Sequence, residues 1–326
     1  MKQALSRRML VSSIALAAAT LLAPVAQAQT SKSVAVTAIV DHPALDAVRK
    51  GVEDELKAQG WVAGKNLKYQ YQSAQGNSAT AGQIARKFIG DKADVIVAIA
   101  TPSAQTAVVA TSSVPVVFTA VTDPVAAKLV KDAKPSGTNV TGVSDRLPLA
   151  PQIDLMQKIV PGAKRIGMVY SPGEVNSTII VKELKEALAQ RGMSLHEAAA
   201  PRTVDIPSAA KSLIGKIDLM YTTTDNNVVS AYESMARLAA DAKLPLVASD
   251  TGSVARGAIA ALGMNYYDMG RQTGKIVVRI LKGEKPGAIA FEVGRNTTLE
   301  INAKAAREQG VTLSPALLKE GKVVVP

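Results

Sequence analysis

Six short polar stretches interrupt the apolar parts of this 326-residue sequence, and their residue types suit the binding of small charged groups. Hydroxyl groups at Thr101, Ser103 and Thr122 can hold an anion, particularly where a helix begins. Carboxylates such as Asp225 and Asp250 can pair with an ammonium group through charge-assisted hydrogen bonds. A site with both chemistries suits a zwitterion, so the sequence predicts the binding of an amino acid.

Each polar stretch follows the carboxyl end of a predicted strand, where open parallel sheets bind their ligands. Local capping is an open alternative, because Ser, Thr, Asp and Asn also stabilise helix N-termini without touching a ligand. His42 in particular could either contact a ligand or begin a helix. The twelve candidate ligand-binding residues are His42, Asp46, Thr101, Ser103, Thr122, Asp123, Glu174, Asn176, Ser177, Asp225, Asn226 and Asp250.

The residue types argue against catalysis. The chain has no cysteine, and its two histidines, His42 and His196, are far apart in the sequence. It contains no G-x-S-x-G nucleophile elbow and no spacing of metal ligands. We therefore predict that the protein is not an enzyme and holds neither a metal nor a cofactor.

The charge distribution argues against nucleic acid as a partner. The net charge is +11, but the basic residues are scattered among acidic ones, and aromatic residues make up only 3% of the chain. Nucleic-acid sites instead cluster their positive charges beside stacking aromatics. We interpret the charges as a solvated surface.

The first 28 residues have the pattern of an export signal. Lys2, Arg7 and Arg8 precede an apolar run from residue 9 to 22, and small residues then lead to predicted cleavage after Ala28. The adjacent arginines leave the general and twin-arginine routes both open. Because the chain has no cysteine, we expect neither a lipid anchor nor disulfides, and we expect a secreted, soluble periplasmic protein.

Apolar strand patterns alternate with helical patterns in two series of similar length, which predicts two α/β units with parallel sheets. A further helix, 267–282, and two extended pieces, 290–292 and 298–301, follow the second series. The predicted strands are 34–40, 67–72, 95–100, 116–121, 139–143, 165–170, 195–199, 219–222, 246–248 and 258–263. The predicted helices are 43–59, 80–89, 177–191, 206–214 and 228–242.

Several longer motifs occur along the chain after the signal, among them "DHPALDAVRKGVEDEL", "DVIVAIATPSAQTA", "NVTGVSD", "IGMVYSPGEVNS", "TTTDNNVVSA" and "NYYDMGRQTGKIVVRILKGEKP". On these motifs, the whole chain after the signal resembles the tryptophan/tyrosine-type family of substrate-binding proteins of ABC importers. The resemblance implies the type I periplasmic-binding fold, with two Rossmann-like lobes joined by a three-segment hinge. On that template the N-terminal lobe is 32–142 plus 265–288, and the C-terminal lobe is 143–264 plus 289–326.

The resemblance also implies a function. A monomer would capture a small amino acid-like ligand, preferably aromatic or hydrophobic, by hinge closure and deliver it to a membrane permease. Thr101, Ser103 and Thr122 are similar in position to residues that hold a ligand carboxylate, and Asp225 and Asp250 to ammonium partners. The family's E-x-N-S stretch, which faces the cleft, falls on Glu174, Asn176 and Ser177.

Two alternatives stay open at this point. A protein of the same fold could act as a sensor that signals to a membrane receptor. An importer component could instead carry a branched-chain amino acid, a nucleobase or an aromatic acid, because pocket volume decides the ligand.

Overall fold

The computed structural model describes residues 31–326, which form two sheets with helices packed on both faces of each. Parallel pairing dominates both sheets, which confirms the predicted α/β class. The predicted signal, residues 1–28, lies outside the described residues. No helix within residues 31–326 is long and apolar enough to cross a membrane.

The strands alternate with helices through most of the chain, as the sequence predicts. The strands are β1 (Lys32–Ala38), β2 (Leu67–Ser73), β3 (Val95–Ile99), β4 (Val116–Val121), β5 (Val140–Ser144), β6 (Arg165–Tyr170), β7 (Ser194–Ala199), β8 (Leu219–Thr222), β9 (Leu246–Ala248), β10 (Ala260–Met264), β11 (Glu292–Val293), β12 (Thr297–Asn302) and β13 (Lys322–Val325). The helices are α1 (Pro43–Ala58), α2 (Ser78–Gly90), α3 (Thr101–Ala110), α4 (Leu149–Ile159), α5 (Val175–Ala189), α6 (Ile206–Leu213), α7 (Asn226–Ser230), α8 (Tyr232–Asp241), α9 (Tyr266–Leu281), α10 (Ala303–Glu308) and α11 (Pro315–Glu320).

The first sheet has the strand order β11-β5-β4-β3-β1-β2, and all its pairs are parallel. Its central strands β3 and β4 are buried along their whole length, as expected of parallel strands covered on both faces. Helices α1 and α9 cover one face, and α2 and α3 cover the other. We call this sheet with its four helices the first sandwich.

The second sheet has the order β13-β12-β10-β9-β8-β6-β7. Strand β12 runs antiparallel to β10 and parallel to β13, while the other neighbours pair in parallel. Helices α4 to α8, α10 and α11 pack with this sheet. We call this sheet with these helices the second sandwich.

Helices α1 and α9 of the first sandwich cross at unusually short distance. A Cβ atom on Gly270 would lie 2.1 Å from the carbonyl oxygen of Val48, and one on Gly51 would lie 2.2 Å from that of Tyr267. Only glycine permits this approach, because real Cβ atoms do not come so close to backbone. The contact brings the first turns of both helices to the same edge of the sheet.

The chain crosses between the sandwiches three times: after β5, between β10 and α9, and between β11 and β12. The crossings lie side by side, since the N–H group of Gly294 donates to the carbonyl oxygen of Ser144 at 2.7 Å. A Cβ on Gly294 would also lie 2.5 Å from the sulfur atom of Met264. One small region therefore joins the two sandwiches.

Several elements differ from the sequence prediction. The predicted helix 228–242 is two helices, α7 and α8, with a break at Ala231. Tyr232, the first residue of α8, is fully buried in the core. Helices α4, α10 and α11 and strand β13 were not predicted. Strand β11 pairs with β5 of the first sheet, beyond residue 288 where the predicted N-terminal lobe ends.

Candidate functional site

A cavity lies where the carboxyl ends of the strands of both sheets meet, which is the ligand position expected of open parallel sheets. It contains about 320 Å³ of space outside the protein atoms, a volume that includes open solvent. It is lined by His42, Ala44, Leu45, Ala100, Thr101, Ala120, Thr122, Asp145, Asn176, Thr224, Asn226, Val229, Asp250 and Tyr266.

The N-terminus of α3 points into the cavity. The chain turns sharply out of β3 at Ala100, whose φ of 74° lies in a region that favours glycine. Such strained backbone concentrates at binding sites. The first-turn N–H groups lack intrahelical acceptors, and within residues 31–326 the buried Thr101 Oγ1 has no hydrogen-bond partner. This corner of the cavity therefore offers several donors to an anion.

Strand β4 supplies a second strained position. Ala120 has a φ of 52°, and the pairing of β4 with β5 shifts in register between Phe118 and Val121. The irregularity directs Ala120 and Thr122 toward the cavity. Thr122 Oγ1 lies 3.5 Å from Thr224 Oγ1 of the second sandwich, so side chains from the two sandwiches meet across a narrow space.

Asp145, on the first crossing, presents a free carboxylate oxygen to the cavity. Its Oδ2 accepts a hydrogen bond from the Tyr266 hydroxyl at 2.8 Å, whereas no group in the described part of the chain donates to Oδ1. Burial raises the pKa of Asp145, and the hydrogen bond from Tyr266 opposes that increase. A buried carboxylate oxygen without a donor suits a cationic group.

Asp250 also lines the cavity, but its oxygens have partners of their own. Oδ1 accepts from the backbone N–H of Ser253 at 2.9 Å, and Oδ2 accepts from the Ser253 hydroxyl at 2.7 Å. Burial raises the pKa of Asp250. Its side chain therefore caps the short turn that follows β9 and places a carboxyl group in the cavity wall.

Two amide side chains form much of the wall from the second sandwich. The Nδ2 groups of Asn176 and Asn226 donate to Glu174 Oε2 at 2.9 Å and 2.7 Å. This leaves the buried Asn176 Oδ1, which has no partner within residues 31–326, as a further acceptor in the wall of the cavity. Glu174 lies behind the amides, and burial, together with the nearby Asp225, raises the pKa of Glu174 to about 7.

Asp225 is fully buried outside the cavity lining and has four hydrogen-bond donors. It accepts from the N–H and hydroxyl groups of Ser171 at 2.6 Å and 2.8 Å and from the Ser177 hydroxyl at 2.6 Å. It also accepts from the N–H of Val228 at 3.0 Å, which caps α7. Asp225 therefore joins the loops after β6 and β8 and holds the wall in position.

His42 begins α1 and borders the apolar side of the cavity. Its Nδ1 accepts from the N–H of Leu45 at 3.5 Å. Burial lowers the pKa of His42 to about 4, so its imidazole is neutral at neutral pH. Ala44, Leu45 and Val229 lie beside it and supply an apolar wall.

The structure brings six of the twelve sequence-predicted residues to the cavity: His42, Thr101, Thr122, Asn176, Asn226 and Asp250. The other six lie outside its lining. Glu174, Asp225 and Ser177 form the support just described, and Ser103 is fully buried in α3. Asp46 pairs with Arg49 at 3.4 Å, and Asp123 pairs with Arg146 at 2.6 Å.

Three polar lining residues were missed by the sequence analysis: Asp145, Thr224 and Tyr266. The strand-end rule could have selected all three, because they follow β5, β8 and β10 within two residues. Within residues 31–326, no group of three or more His, Asp or Glu side chains is arranged to hold a metal ion.

Comparisons with known proteins agree with this geometry. The sequence profile of the family described as "ABC transporter substrate binding protein" matches residues 33–325. A "tyrosine-binding protein" of Clostridioides difficile is 38% identical over 271 residues, which cover 83% of this chain and 79% of that protein.

Solved structures of similar proteins agree with the family match. The ABC domain in complex with L-Trp from Streptococcus pneumonia has 34% identity and a TM-score of 0.87, and the match covers 90% of this chain and 100% of that one. The ligand-free, open structure of a substrate-binding protein with adhesive properties from Clostridium difficile has 37% identity and a TM-score of 0.69, covering 90% and 99%. The leucine-binding protein LivK from Thermotoga maritima, at 14% identity and a TM-score of 0.58, covers 77% and 83% and confirms the predicted type I periplasmic-binding fold.

Proposed function

The chain belongs to the ABC transporter substrate-binding protein family, and from this premise we propose that it captures an aromatic amino acid between its two sandwiches. Membership confirms the predicted role as the binding component of an importer, and it confirms that the protein is not an enzyme. The ligand and the residues that hold it are our proposal.

The observation that carries the proposal is a set of three buried polar atoms without protein partners in residues 31–326, all on residues that line one cavity. Thr101 Oγ1 and the N-terminus of α3 would hold the ligand carboxylate. Asp145 Oδ1 and Asn176 Oδ1 would accept from the ligand ammonium. Leaving such atoms unpaired costs about 1–3 kcal/mol each, so a zwitterion that satisfies all three would gain affinity and orientation.

The apolar wall supports an aromatic side chain on the ligand. Ala44, Leu45 and Val229 line the cavity together with the neutral His42. Relatives at 38% and 34% identity are a tyrosine-binding protein and a domain crystallised with L-Trp. We therefore favour L-tyrosine and L-tryptophan over the aliphatic amino acids.

We further propose that the two sandwiches move as lobes, divided as the sequence analysis predicted except that β11 moves with the first lobe. The TM-score is higher against the L-Trp complex, 0.87, than against a ligand-free open relative of similar identity, 0.69. This difference supports a closed arrangement for the structure described here. Ligand binding would favour closure because the ligand contacts both lobes at once.

The family acts outside the cytoplasm. We propose export by the predicted signal with cleavage after Ala28, action in the periplasm as a monomer, and delivery of the ligand to a membrane permease. The alternative role as a sensor would use the same cavity, and the match to a transporter family favours import.

A panel of ligands tests the proposal. Thermal unfolding and calorimetric titration are measured with L-tyrosine, L-tryptophan, L-phenylalanine, L-leucine, nucleobases, tyramine and 4-hydroxyphenylpropionate. A ligand at 100 times its Kd adds about 2.7 kcal/mol of stability, which raises Tm by several degrees. We expect this increase from an aromatic amino acid, and a response only to nucleobases or to the deaminated acid would contradict the zwitterion site.

The Asp145→Asn variant tests the ammonium contact. The substitution keeps the shape of the side chain but removes its charge, so we expect L-tyrosine affinity to fall by about 100-fold, as on loss of a buried charge partner. Glu197→Gln is the control, because it also neutralises a carboxylate, but one that pairs with Lys185 outside the cavity lining; its affinity should stay within about threefold. Equal affinity of Asp145→Asn and wild type would refute the assigned role of Asp145.

A further inference from the structure

Arg146, directly after Asp145 on the first crossing, bridges two carboxylates. Its Nη1 lies 2.6 Å from Asp123 Oδ2, and its Nη2 lies 2.6 Å from both carboxylate oxygens of Glu183. The guanidinium group is planar and always charged, so it can hold two carboxylates in a fixed geometry. Arg146 does not line the cavity.

The two carboxylates belong to different sandwiches. Asp123 follows β4 in the first sandwich, and Glu183 lies on α5 in the second. Among the ion pairs formed by residues 31–326, the Arg146–Glu183 pair is the one that joins the sandwiches. It is therefore placed where a relative movement of the sandwiches would break it.

Asp123 fixes the arginine in position. Its Oδ1 accepts from the backbone N–H groups of Val125 and Ala126 at 3.0 Å and 2.9 Å, which leaves Oδ2 for Arg146. Arg146 would thus keep its place on the first sandwich while Glu183 approaches or leaves with the second. The side chains are 20–36% exposed, so bulk water screens this pair less than a pair on the open surface.

We propose that Arg146 is a positioning residue that favours the closed arrangement by binding Glu183 across the two sandwiches, and so raises ligand affinity without touching the ligand. This inference rests on the proposed function, because it requires that the sandwiches close around the ligand. Asp145 and Arg146 are neighbours on one crossing, so the proposed ligand contact and the closure contact share a short segment.

Glu183→Gln tests the proposal, with Glu197→Gln as its matched control. Glu197 pairs with Lys185 of the same helix α5 at 2.9 Å, and that pair lies within the second sandwich. We expect Glu183→Gln to weaken L-tyrosine binding by about three- to tenfold, and the loss should appear mainly as faster dissociation. The affinity of wild type should fall in 0.5 M salt more than that of Glu183→Gln, because salt screens the ion pair.

A second measurement needs no ligand. The chain has no cysteine, so Val109→Cys on α3 and Val204→Cys beside α6, which are 88% and 75% exposed, can carry a pair of spin labels. In ligand-free protein, Glu183→Gln should lower the fraction of molecules in which the distance between the labels at residues 109 and 204 matches this structure. Glu197→Gln should leave that fraction unchanged.

The two readouts separate the inference from the proposed function. If wild type binds no aromatic amino acid, the proposed function fails, and the label distances still report whether Arg146 favours closure. If Glu183→Gln and Glu197→Gln give the same label distances, Arg146 has no role in closure, whatever the ligand. Arg146→Lys, which keeps the charge but loses the two-nitrogen geometry, should give an intermediate distance distribution.

Discussion

Glu174 is a buried carboxyl group that supports the site without lining it. It is 8% exposed, and its Oε2 accepts from the side chains of Asn176 and Asn226 and from the N–H of Asn226. These bonds orient the two amides toward the cavity. The protonation of Glu174 therefore couples pH to the stability of this wall of the cavity.

Glu174→Gln should change how folding stability depends on pH. The pKa of Glu174 is raised from 4.5 to about 7 in the folded protein, so between these values the folded state binds more protons than the unfolded state. The free energy of unfolding contributed by this group is then fully present below about pH 4.5 and is lost as pH rises through 7. Since one pKa unit corresponds to about 1.4 kcal/mol, we expect a loss of on the order of 1–3 kcal/mol.

Urea unfolding at pH 5 and pH 8 measures this change. Wild type should lose more stability between the two values than Glu174→Gln does. The Glu197→Gln variant, altered on the surface strand β7, should keep the wild-type dependence. An identical pH dependence for wild type and Glu174→Gln would show that Glu174 does not bind the additional proton.

At the residue scale, half of the twelve residues predicted from the sequence line the cavity, and the ammonium partner predicted from the sequence differs from the one proposed here. It favoured Asp225 and Asp250, whose oxygens already accept hydrogen bonds from protein groups, those of Asp225 from Ser171 and Val228 and those of Asp250 from Ser253. Residue type and strand-end position are readable from sequence, but whether a carboxylate is already bonded depends on loops that meet only in the fold. Asp145 keeps a free oxygen because Tyr266, more than a hundred residues later, reaches only one of the two.

At the scale of elements, α1 and α9 pack closely together and both contribute residues to the cavity lining. His42 and Leu45 lie at the beginning of α1, and Tyr266 is the first residue of α9. The two helices can approach closely because Gly51 and Gly270 face backbone atoms. A larger distance between the two helix axes should therefore displace these lining residues.

Gly270→Ala should separate these helices. The added methyl group would lie 2.1 Å from the Val48 carbonyl oxygen, and backbone cannot move aside as a flexible side chain can. We expect a loss of about 1–3 kcal/mol in the free energy of unfolding, as for other overpacked cores. Displacement of Tyr266 should also weaken ligand binding, which titration of the folded fraction measures.

Gly82→Ala on α2 is the matched control. The nearest atom to its added methyl group is Arg86 Nη1 at 3.7 Å. A glycine-to-alanine change in an open helical position should leave stability unchanged or raise it by about 0.5–1 kcal/mol. Equal stability of the Gly270→Ala and Gly82→Ala variants would contradict the close packing of α1 on α9.

The elements themselves were largely readable from sequence, for identifiable reasons. Strands β6, β8 and β9 have the predicted bounds because each is a short, mainly apolar run that is followed directly by polar residues. Helix α4 was missed because it begins directly after Pro148 and carries another proline in its first turn. In the described structure, no side chain accepts a capping hydrogen bond at its N-terminus. Helix-start signals based on Ser, Thr, Asp or Asn are absent from that stretch of sequence.

At the scale of the whole molecule, one small region carries all the connections between the sandwiches. Ser144, Met264 and Gly294, one from each crossing, are in mutual proximity. Rotation about this region would open the cavity at its far side while leaving the core of each sandwich unchanged. Such hinges require only a few residues to change conformation.

Small-angle scattering should detect this rotation. We expect the radius of gyration to decrease when saturating L-tyrosine is added, because the ligand favours closure by contacting both sandwiches. Asp145→Asn at the same ligand concentration should show a smaller decrease, since it binds less ligand. Identical scattering curves of wild type with and without bound ligand would count against hinge closure.

The order in which the chain is made has a consequence for how it folds. The first sandwich takes β1 from the start of the described chain and α9 and β11 from near its end. Gly51 on α1 packs against α9 at Gly270, about 220 residues later in the chain. Contacts of such high sequence separation slow folding. The core of the first sandwich needs residues up to Ile289 and that of the second needs residues up to Leu317, so a chain that emerges N-terminus first completes both cores only near the end of its synthesis.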